Sequence, residues 1–141
     1  MNERAILCVD DEAIILMALK QELKSHFRDR FLYETSIDAE EALAAIDELV
    51  AEGVEVILVI SDWLMPGMKG DEFLLKVHEK HPGISSIMVT GHADPESIAR
   101  VRSALGACTI ISKPWRREEL IGAVETFVDP DALVGQASRL Q

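Results

Sequence analysis

The chain has 141 residues, the length of one ordinary domain, and 48% of them are apolar, which is too many for a disordered chain. Acidic residues outnumber basic ones by 25 to 14, and a formal net charge of -11 disfavours direct binding to nucleic acids. No apolar run approaches the roughly 20 residues of a membrane-spanning helix, and the N-terminus lacks a signal-sequence pattern. We therefore expect a cytoplasmic location, with no nucleic-acid or membrane partner for this domain.

Short apolar runs alternate with amphipathic stretches along the chain. The short runs predict buried strands, and the stretches between them repeat apolar residues at helical spacing. The predicted strands cover 5–9, 31–36, 56–61, 84–90 and 107–112. The predicted helices cover 13–27, 39–51, 71–81, 94–105 and 115–128. The polar remainder, 129–141, is interpreted as a C-terminal tail or the start of a linker, which gives a predicted domain over 1–128.

Five strands alternating with five helices predict an α/β fold with a parallel sheet covered on both faces. We expect the flavodoxin-like, doubly wound (βα)5 arrangement with strand order 2-1-3-4-5. Right-handed crossovers leave few topologies, and this one places the first and third strands side by side. Cys8 and Cys108 would then lie on strands that are not neighbours, so we expect two buried free thiols rather than a disulfide.

Polar residues follow or end four of the predicted strands. Asp10 and Asp11 follow the first, Asp62 follows the third, Thr90 ends the fourth and Lys113 follows the fifth. These strand ends share the sheet edge where open α/β proteins bind ligands. Three neighbouring carboxylates repel one another unless a cation compensates, and Mg²⁺ prefers oxygen ligands. An ammonium and a hydroxyl beside them suit a phosphoryl group, so the set predicts phosphoryl transfer to a carboxylate, with Asp62 as nucleophile.

Each residue alone also has an ordinary structural explanation. Asp62 could serve only as a turn or helix-capping residue, and Asp10 with Asp11 only as a charge pair at a helix start. Lys113 alone is typical of a solvated surface lysine, and Thr90 alone of a strand end. The specificity lies in their occurrence at the ends of successive strands.

Four segments together resemble the receiver domain of two-component response regulators over about residues 4–128. They are VDDE at 9–12, VISDWLMPGMKG at 59–70, MVTGHAD at 88–94 and SKPW at 112–115. The resemblance implies that Asp62 accepts a phosphoryl group from a phosphohistidine of a sensor kinase. It also implies a phosphorylation-controlled switch that catalyses only its own phosphoryl transfer and slow dephosphorylation, rather than an enzyme acting on other substrates.

The same resemblance implies roles for the other strand-end residues. A Mg²⁺ ion would be held by the side chains of Asp10, Asp11 and Asp62 and by the backbone carbonyl of Leu64. Thr90 and Lys113 would contact the phosphoryl group, and the bond between Lys113 and Pro114 would be cis.

One departure from the family pattern concerns the switch. An aromatic residue often stands three positions before the lysine in this family, but here that position is Ile110. An aliphatic side chain has no ring to rotate, so we expect the site to take phosphate but the readout to differ.

The resemblance also implies partners. These are a sensor histidine kinase, an output domain or target protein that binds the fourth helix, fifth strand and fifth helix, and a homodimer through the same surface. Four arginines of an otherwise acidic chain lie on the fourth and fifth helices or at the start of the fifth, where solvated helix faces are the simpler explanation. They are Arg100, Arg102, Arg116 and Arg117.

Three rival functions are weighed against this one. A phosphatase of the haloacid-dehalogenase kind needs a second Asp two residues after its nucleophile, whereas Asp10 and Asp11 are adjacent. A flavodoxin-like cofactor binder needs a phosphate loop after the first strand, where the acidic VDDE would repel phosphate. A binding module independent of phosphorylation would not need the complete set of acids.

Overall fold

The computed structural model describes residues 3–91, 94–105 and 108–129. Its strands are β1 Arg4–Val9, β2 Leu32–Ser36, β3 Glu55–Asp62, β4 Ser85–Thr90 and β5 Cys108–Ser112. Its α-helices are α1 Ala13–Phe27, α2 Ala39–Ala51, α3 Gly70–Lys80, α4 Pro95–Leu105 and α5 Arg117–Val128. The remaining residues of the predicted tail, 130–141, lie outside the described part.

All four strand pairings are parallel, and the order β2-β1-β3-β4-β5 confirms the prediction. Side chains alternate between the two faces of each strand, and this alternation builds two cores. Ile6 and Cys8 pack with α1 and α5 on one face. Leu7 and Val9 pack with α2, α3 and α4 on the other. Both faces of the sheet are therefore buried, which explains the nearly continuous apolar runs of the central strands.

Two of the helices, α2 and α4, begin at a capping aspartate. The Asp38 carboxylate accepts a hydrogen bond of 2.8 Å from the backbone N–H of Glu41 at the start of α2. Asp94 accepts one of 2.9 Å from the backbone N–H of Ser97 at the start of α4. Each bond satisfies one of the N–H groups that a helix leaves unpaired.

Four predicted boundaries were wrong by one or two residues at the edge where the candidate residues lie: β3 ends at Asp62, and α3, α4 and α5 begin at Gly70, Pro95 and Arg117. The strand β3 extends through Asp62 because the ladder with β4 continues to the pair Asp62 and Val89. The helix α5 begins at Arg117 rather than at 115, because Arg116 is still extended, with φ -94° and ψ 144°. A four-residue loop, 113–116, therefore separates β5 from α5.

Both cysteines are free and buried, on β1 and β5, which are not neighbours in the sheet. Burial raises the pKa of the Cys8 thiol to about 12 and that of the Cys108 thiol to about 11. The thiols therefore stay protonated at neutral pH and act as small apolar side chains.

An ion pair connects α3 to α4. The Asp71 carboxylate, in the first turn of α3, is buried, with only 5% of its side chain exposed, and it accepts a hydrogen bond from the Arg100 guanidinium of α4. The Arg100 side chain is 62% exposed. Arg100 is therefore largely solvated, as the sequence suggested, but its guanidinium also makes a contact within the domain.

We expect Arg100→Ala to lower the free energy of unfolding by about 1–2 kcal/mol, because it leaves the buried Asp71 carboxylate without this donor. Urea unfolding monitored by circular dichroism measures the loss. The matched control is Arg102→Ala on the exposed surface of the same helix, which should leave stability nearly unchanged. Equal effects of the two substitutions would contradict a specific role for the ion pair.

Candidate functional site

Three carboxylates converge at the carboxyl edge of the sheet. Asp10 directly follows β1 and Asp62 ends β3, and the pairing of Val9 with Ser61 places these strand ends side by side. Asp11 is the third member, and one carboxylate oxygen from each of the three lies within 4.8 Å of the others. Asp10 and Asp62 are 1% and 7% exposed, whereas Asp11 faces solvent. The expected convergence of these three acids is confirmed.

The Lys113 ammonium lies between two of these carboxylates. Its Nζ atom is 2.9 Å from Oδ2 of Asp10 and 3.3 Å from Oδ1 of Asp62. The side chain is 19% exposed, so these charges interact in partly shielded surroundings. Lys113 follows β5, two strands away from β3, and only the folded sheet brings it to Asp62.

Thr90 occupies the same edge, at the end of β4. It is buried, and its backbone carbonyl accepts a hydrogen bond of 2.9 Å from the backbone N–H of Lys113. Its strand neighbour Val89 pairs with Asp62, so the threonine is one position beyond the acid on the adjoining strand. The backbone of Lys113 is thereby fixed against the strand beside the acid.

The surroundings of Asp62 disfavour its ionised form relative to a free aspartate in the metal-free domain. Burial raises the pKa of Asp62, the charge of Asp10 raises it further, and Lys113 and the Trp63 N–H oppose the rise. For Lys113, burial alone lowers the pKa, but the hydrogen bond to Asp10 and the charge of Asp62 outweigh it, so the pKa is raised. The excess of negative charge is therefore only partly balanced by the lysine.

The loop after β3 is held tightly against the strand end. The backbone N–H of Trp63 donates to Oδ1 of Asp62 at 2.8 Å, and the N–H of Gly70 donates to the carbonyl of Trp63 at 2.8 Å. A Cβ atom at position 70 would lie 2.1 Å from the carbonyl oxygen of Asp62, so only glycine allows this approach. Trp63 is buried and packs in the core on the face of α2, α3 and α4, whereas Leu64 is half exposed.

A three-carboxylate donor set is chemically suited to a hard divalent cation. Oxygen ligands and a net negative charge are what Mg²⁺ prefers, and the mutual distances within the cluster allow one ion to be shared. The residues present therefore fit the metal that the sequence implied.

Some features of this edge were not found from the sequence. Trp115, in the loop after Lys113, donates from its indole Nε1 to Oε2 of Glu22 on α1 at 2.7 Å. In the sequence, Asp71 is only an acid in the first turn of a helix, which is a common position. Its pairing with Arg100 depends on how α3 and α4 pack. No periodicity or motif connects either pair. The peptide bond between Lys113 and Pro114 is cis, as the resemblance implied.

Comparison with known proteins supports the receiver-domain resemblance found in the sequence. The sequence pattern of the response regulator receiver domain matches residues 6–125. The chain is 36% identical over 139 residues to the hydrogenase transcriptional regulatory protein HoxA of Cupriavidus necator, covering 99% of this chain and 27% of that protein. It is 37% identical over 120 residues to the regulatory protein VanR of Enterococcus faecium, covering 85% of this chain and 48% of that protein.

A solved receiver-domain structure has the same fold. The CheY-like response regulator receiver domain protein of Methanospirillum hungatei JF-1 is 33% identical and superposes with a TM-score of 0.76, over 92% of this chain and 96% of that one. The chain therefore belongs to the receiver domains of two-component response regulators. It spans about a quarter of HoxA and about half of VanR. Among the described residues, no helix is long and apolar enough to cross a membrane.

We expect Asp62→Asn to raise the melting temperature of the metal-free domain at pH 7. The pKa of Asp62 is raised in the folded state, so the stability present below its unfolded pKa is lost as the pH rises through the folded one. The amide variant avoids that loss. Differential scanning calorimetry with a chelator measures the change, and it should vanish at acidic pH, where the carboxyl is protonated.

Asp47→Asn is the control of opposite sign. Lys80 and His81 hold the pKa of Asp47 below its usual value, so neutralising this exposed carboxylate should not stabilise the domain. A lower melting temperature for Asp62→Asn than for the native domain would contradict the electrostatic account of the site.

Proposed function

We propose that this receiver domain is a phosphorylation-controlled switch whose phosphoacceptor is Asp62. One observation carries the proposal: the Lys113 ammonium lies within 3.3 Å of Asp62 and at 2.9 Å from Asp10, beside a third carboxylate. A nucleophile, a cluster suited to a divalent cation and a cation for the transferred group thus occupy one sheet edge. Membership in the receiver family adds support, because the relatives include transcriptional regulators.

In the proposed reaction, a carboxylate oxygen of Asp62 attacks the phosphorus of a phosphohistidine on a sensor kinase. The new O–P bond forms as the N–P bond breaks, and the released electron pair stays on the imidazole nitrogen, which takes a proton from solvent. Hydrolysis by water later regenerates the carboxylate and releases inorganic phosphate. Lys113 balances the charge that the phosphoryl oxygens bring into the site, and the Thr90 hydroxyl contacts the same group.

Asp10, Asp11 and Asp62 are the proposed holders of Mg²⁺, with the backbone carbonyl of Leu64 as a further ligand on the strength of the family resemblance. The ion, when bound, offsets the negative charge of the carboxylates and of the phosphoryl oxygens. Without it, burial and Asp10 raise the pKa of Asp62, whereas a bound cation would favour the ionised form that attacks phosphorus.

The partners that we propose follow from the family. A sensor histidine kinase supplies the phosphoryl group in the cytoplasm. An output domain or target protein, or a second copy of the domain, binds the surface formed by α4, β5 and α5. Exposed arginines on that surface support an acidic partner, and they are Arg102, Arg116 and Arg117. The proposed domain covers 1–128, with 129–141 as a tail or linker.

Incubation with Mg²⁺ and acetyl phosphate, followed by intact mass measurement, tests the acceptor. We expect one phosphoryl adduct on the native domain and none on Asp62→Asn. Asp71→Asn is the matched control, because it alters another buried carboxylate outside the cluster and should still be labelled. Labelling that survives the substitution of Asp62 would disprove the assignment.

Titration with Mg²⁺ tests the metal site separately. We expect Mg²⁺ to raise the melting temperature of the native domain, because the ion binds the folded state. Asp11→Asn should weaken Mg²⁺ binding about tenfold or more, since even mutation of groups that only support metal ligands costs about that much affinity. Asp11 is exposed, so its substitution should leave the fold intact. The exposed Asp29→Asn is the control and should bind as the native domain does. An unchanged affinity of Asp11→Asn would remove this residue from the metal site.

A further inference from the structure

The loop 113–116 carries Lys113 at one end and Trp115 near the other. The backbone N–H of Lys113 is fixed by its bond to the Thr90 carbonyl, but the loop then leaves the sheet before α5 begins at Arg117. A lysine side chain has several rotatable bonds, so its two carboxylate partners and the backbone from which it extends together set where its ammonium lies. At the far end of the loop the carbonyl of Arg116 accepts a hydrogen bond of 3.1 Å from the backbone N–H of Leu120, and between these ends Trp115 makes a side-chain contact.

Glu22 of α1 is the partner in this contact. Its Oε2 accepts a hydrogen bond of 2.7 Å from the Trp115 indole Nε1. Both side chains are half buried, and the indole packs against the core between the sheet, α1 and α5. A hydrogen bond to an ionised acceptor in shielded surroundings is stronger than one between neutral exposed groups.

Glu22 lies on the helix that follows two of the three acids. The helix α1 begins at Ala13, directly after the acidic segment that contains Asp10 and Asp11. The bond from Trp115 to Glu22 therefore connects the loop 113–116, which we call the lysine loop, to α1. The side chains of Ile15, Glu22, Pro114 and Trp115 line one groove of about 390 Å³ together with Lys113.

We propose that Glu22 is a positioning residue for phosphoryl transfer: it holds the Trp115 indole, and through the loop 113–116 it sets the Lys113 ammonium against the acids. This inference rests on the proposed function, since it assumes that Lys113 contacts the transferred group. Glu22 itself contacts neither the reacting atoms nor the metal cluster. Its effect is on the rate of the chemical step, because the acids that bind Mg²⁺ are not displaced.

Four variants test the role of Glu22. Glu22→Ala removes the acceptor, Trp115→Phe removes the donor but keeps a ring, and Glu22→Gln keeps an oxygen that accepts the same bond. Gln21→Ala, on the exposed neighbouring position of α1, is the control. Labelling by acetyl phosphate is followed over a range of donor concentrations at saturating Mg²⁺, and Mg²⁺ affinity and melting temperature are measured in parallel.

We expect the maximal labelling rate to fall about fivefold to tenfold in Glu22→Ala and Trp115→Phe, less than the roughly hundredfold loss that a misplacement of about 1 Å can cause, because Asp10 and Asp62 still attract the ammonium. Mg²⁺ affinity should not change. Glu22→Gln should retain most of the native rate, and Gln21→Ala should retain all of it. In a Lys113→Met background, Glu22→Ala should cause no further loss, because the two residues act through the same ammonium.

The outcomes separate the two levels of the proposal. If the native domain takes no phosphoryl group, the proposed function is wrong and the inference fails with it. If the native domain reacts and Glu22→Ala reacts equally fast, only the role of Glu22 is overturned. A further loss in the Lys113→Met background, or equal losses in Glu22→Ala and Glu22→Gln, would show that Glu22 acts by another route and would also overturn it.

Discussion

The placement of one ammonium between two buried carboxylates is the constraint on which the rest of the structure depends. Lys113 reaches both Asp10 and Asp62, although 103 positions separate it from Asp10 in sequence. Its single positive charge only partly balances three acids, so burial and Asp10 still raise the pKa of Asp62. The edge therefore retains the negative charge that suits a divalent cation, and the lysine remains near the acid that we propose as acceptor.

The packing around this edge supports a cluster that is electrostatically unfavourable. Gly70 lets the loop after β3 return against the carbonyl of Asp62, where any side chain would collide. Farther out, the ion pair between Asp71 and Arg100 joins α3 to α4, and the bond from Trp115 to Glu22 joins the lysine loop to α1. These contacts come from different helices on both faces of the sheet, so the geometry of the edge depends on the whole fold.

The residue at position 110 of β5 departs from the common family pattern. Ile110 pairs with Met88 across β4 and β5 and is half buried, so an aliphatic side chain occupies the position where an aromatic ring is common. Thr90 and Lys113 are nevertheless bonded through their backbones, which connects the ends of the same two strands. This backbone contact joins the end of β4 to the loop after β5 whichever residue stands at position 110.

The sequence by itself determined the five strands, the five helices and the candidate residues at the strand ends, because hydrophobic periodicity and turn residues are local signals. The strand order followed from the few topologies that right-handed crossovers allow. It also indicated Asp62, since an acid that ends a buried central strand stands out from its apolar surroundings. Only the tertiary structure decided that Asp10 is buried while Asp11 is exposed, and that Arg100 belongs to Asp71 and Trp115 to Glu22. Such pairings depend on how helices far apart in the chain pack on the sheet, and no local pattern of residues records that geometry.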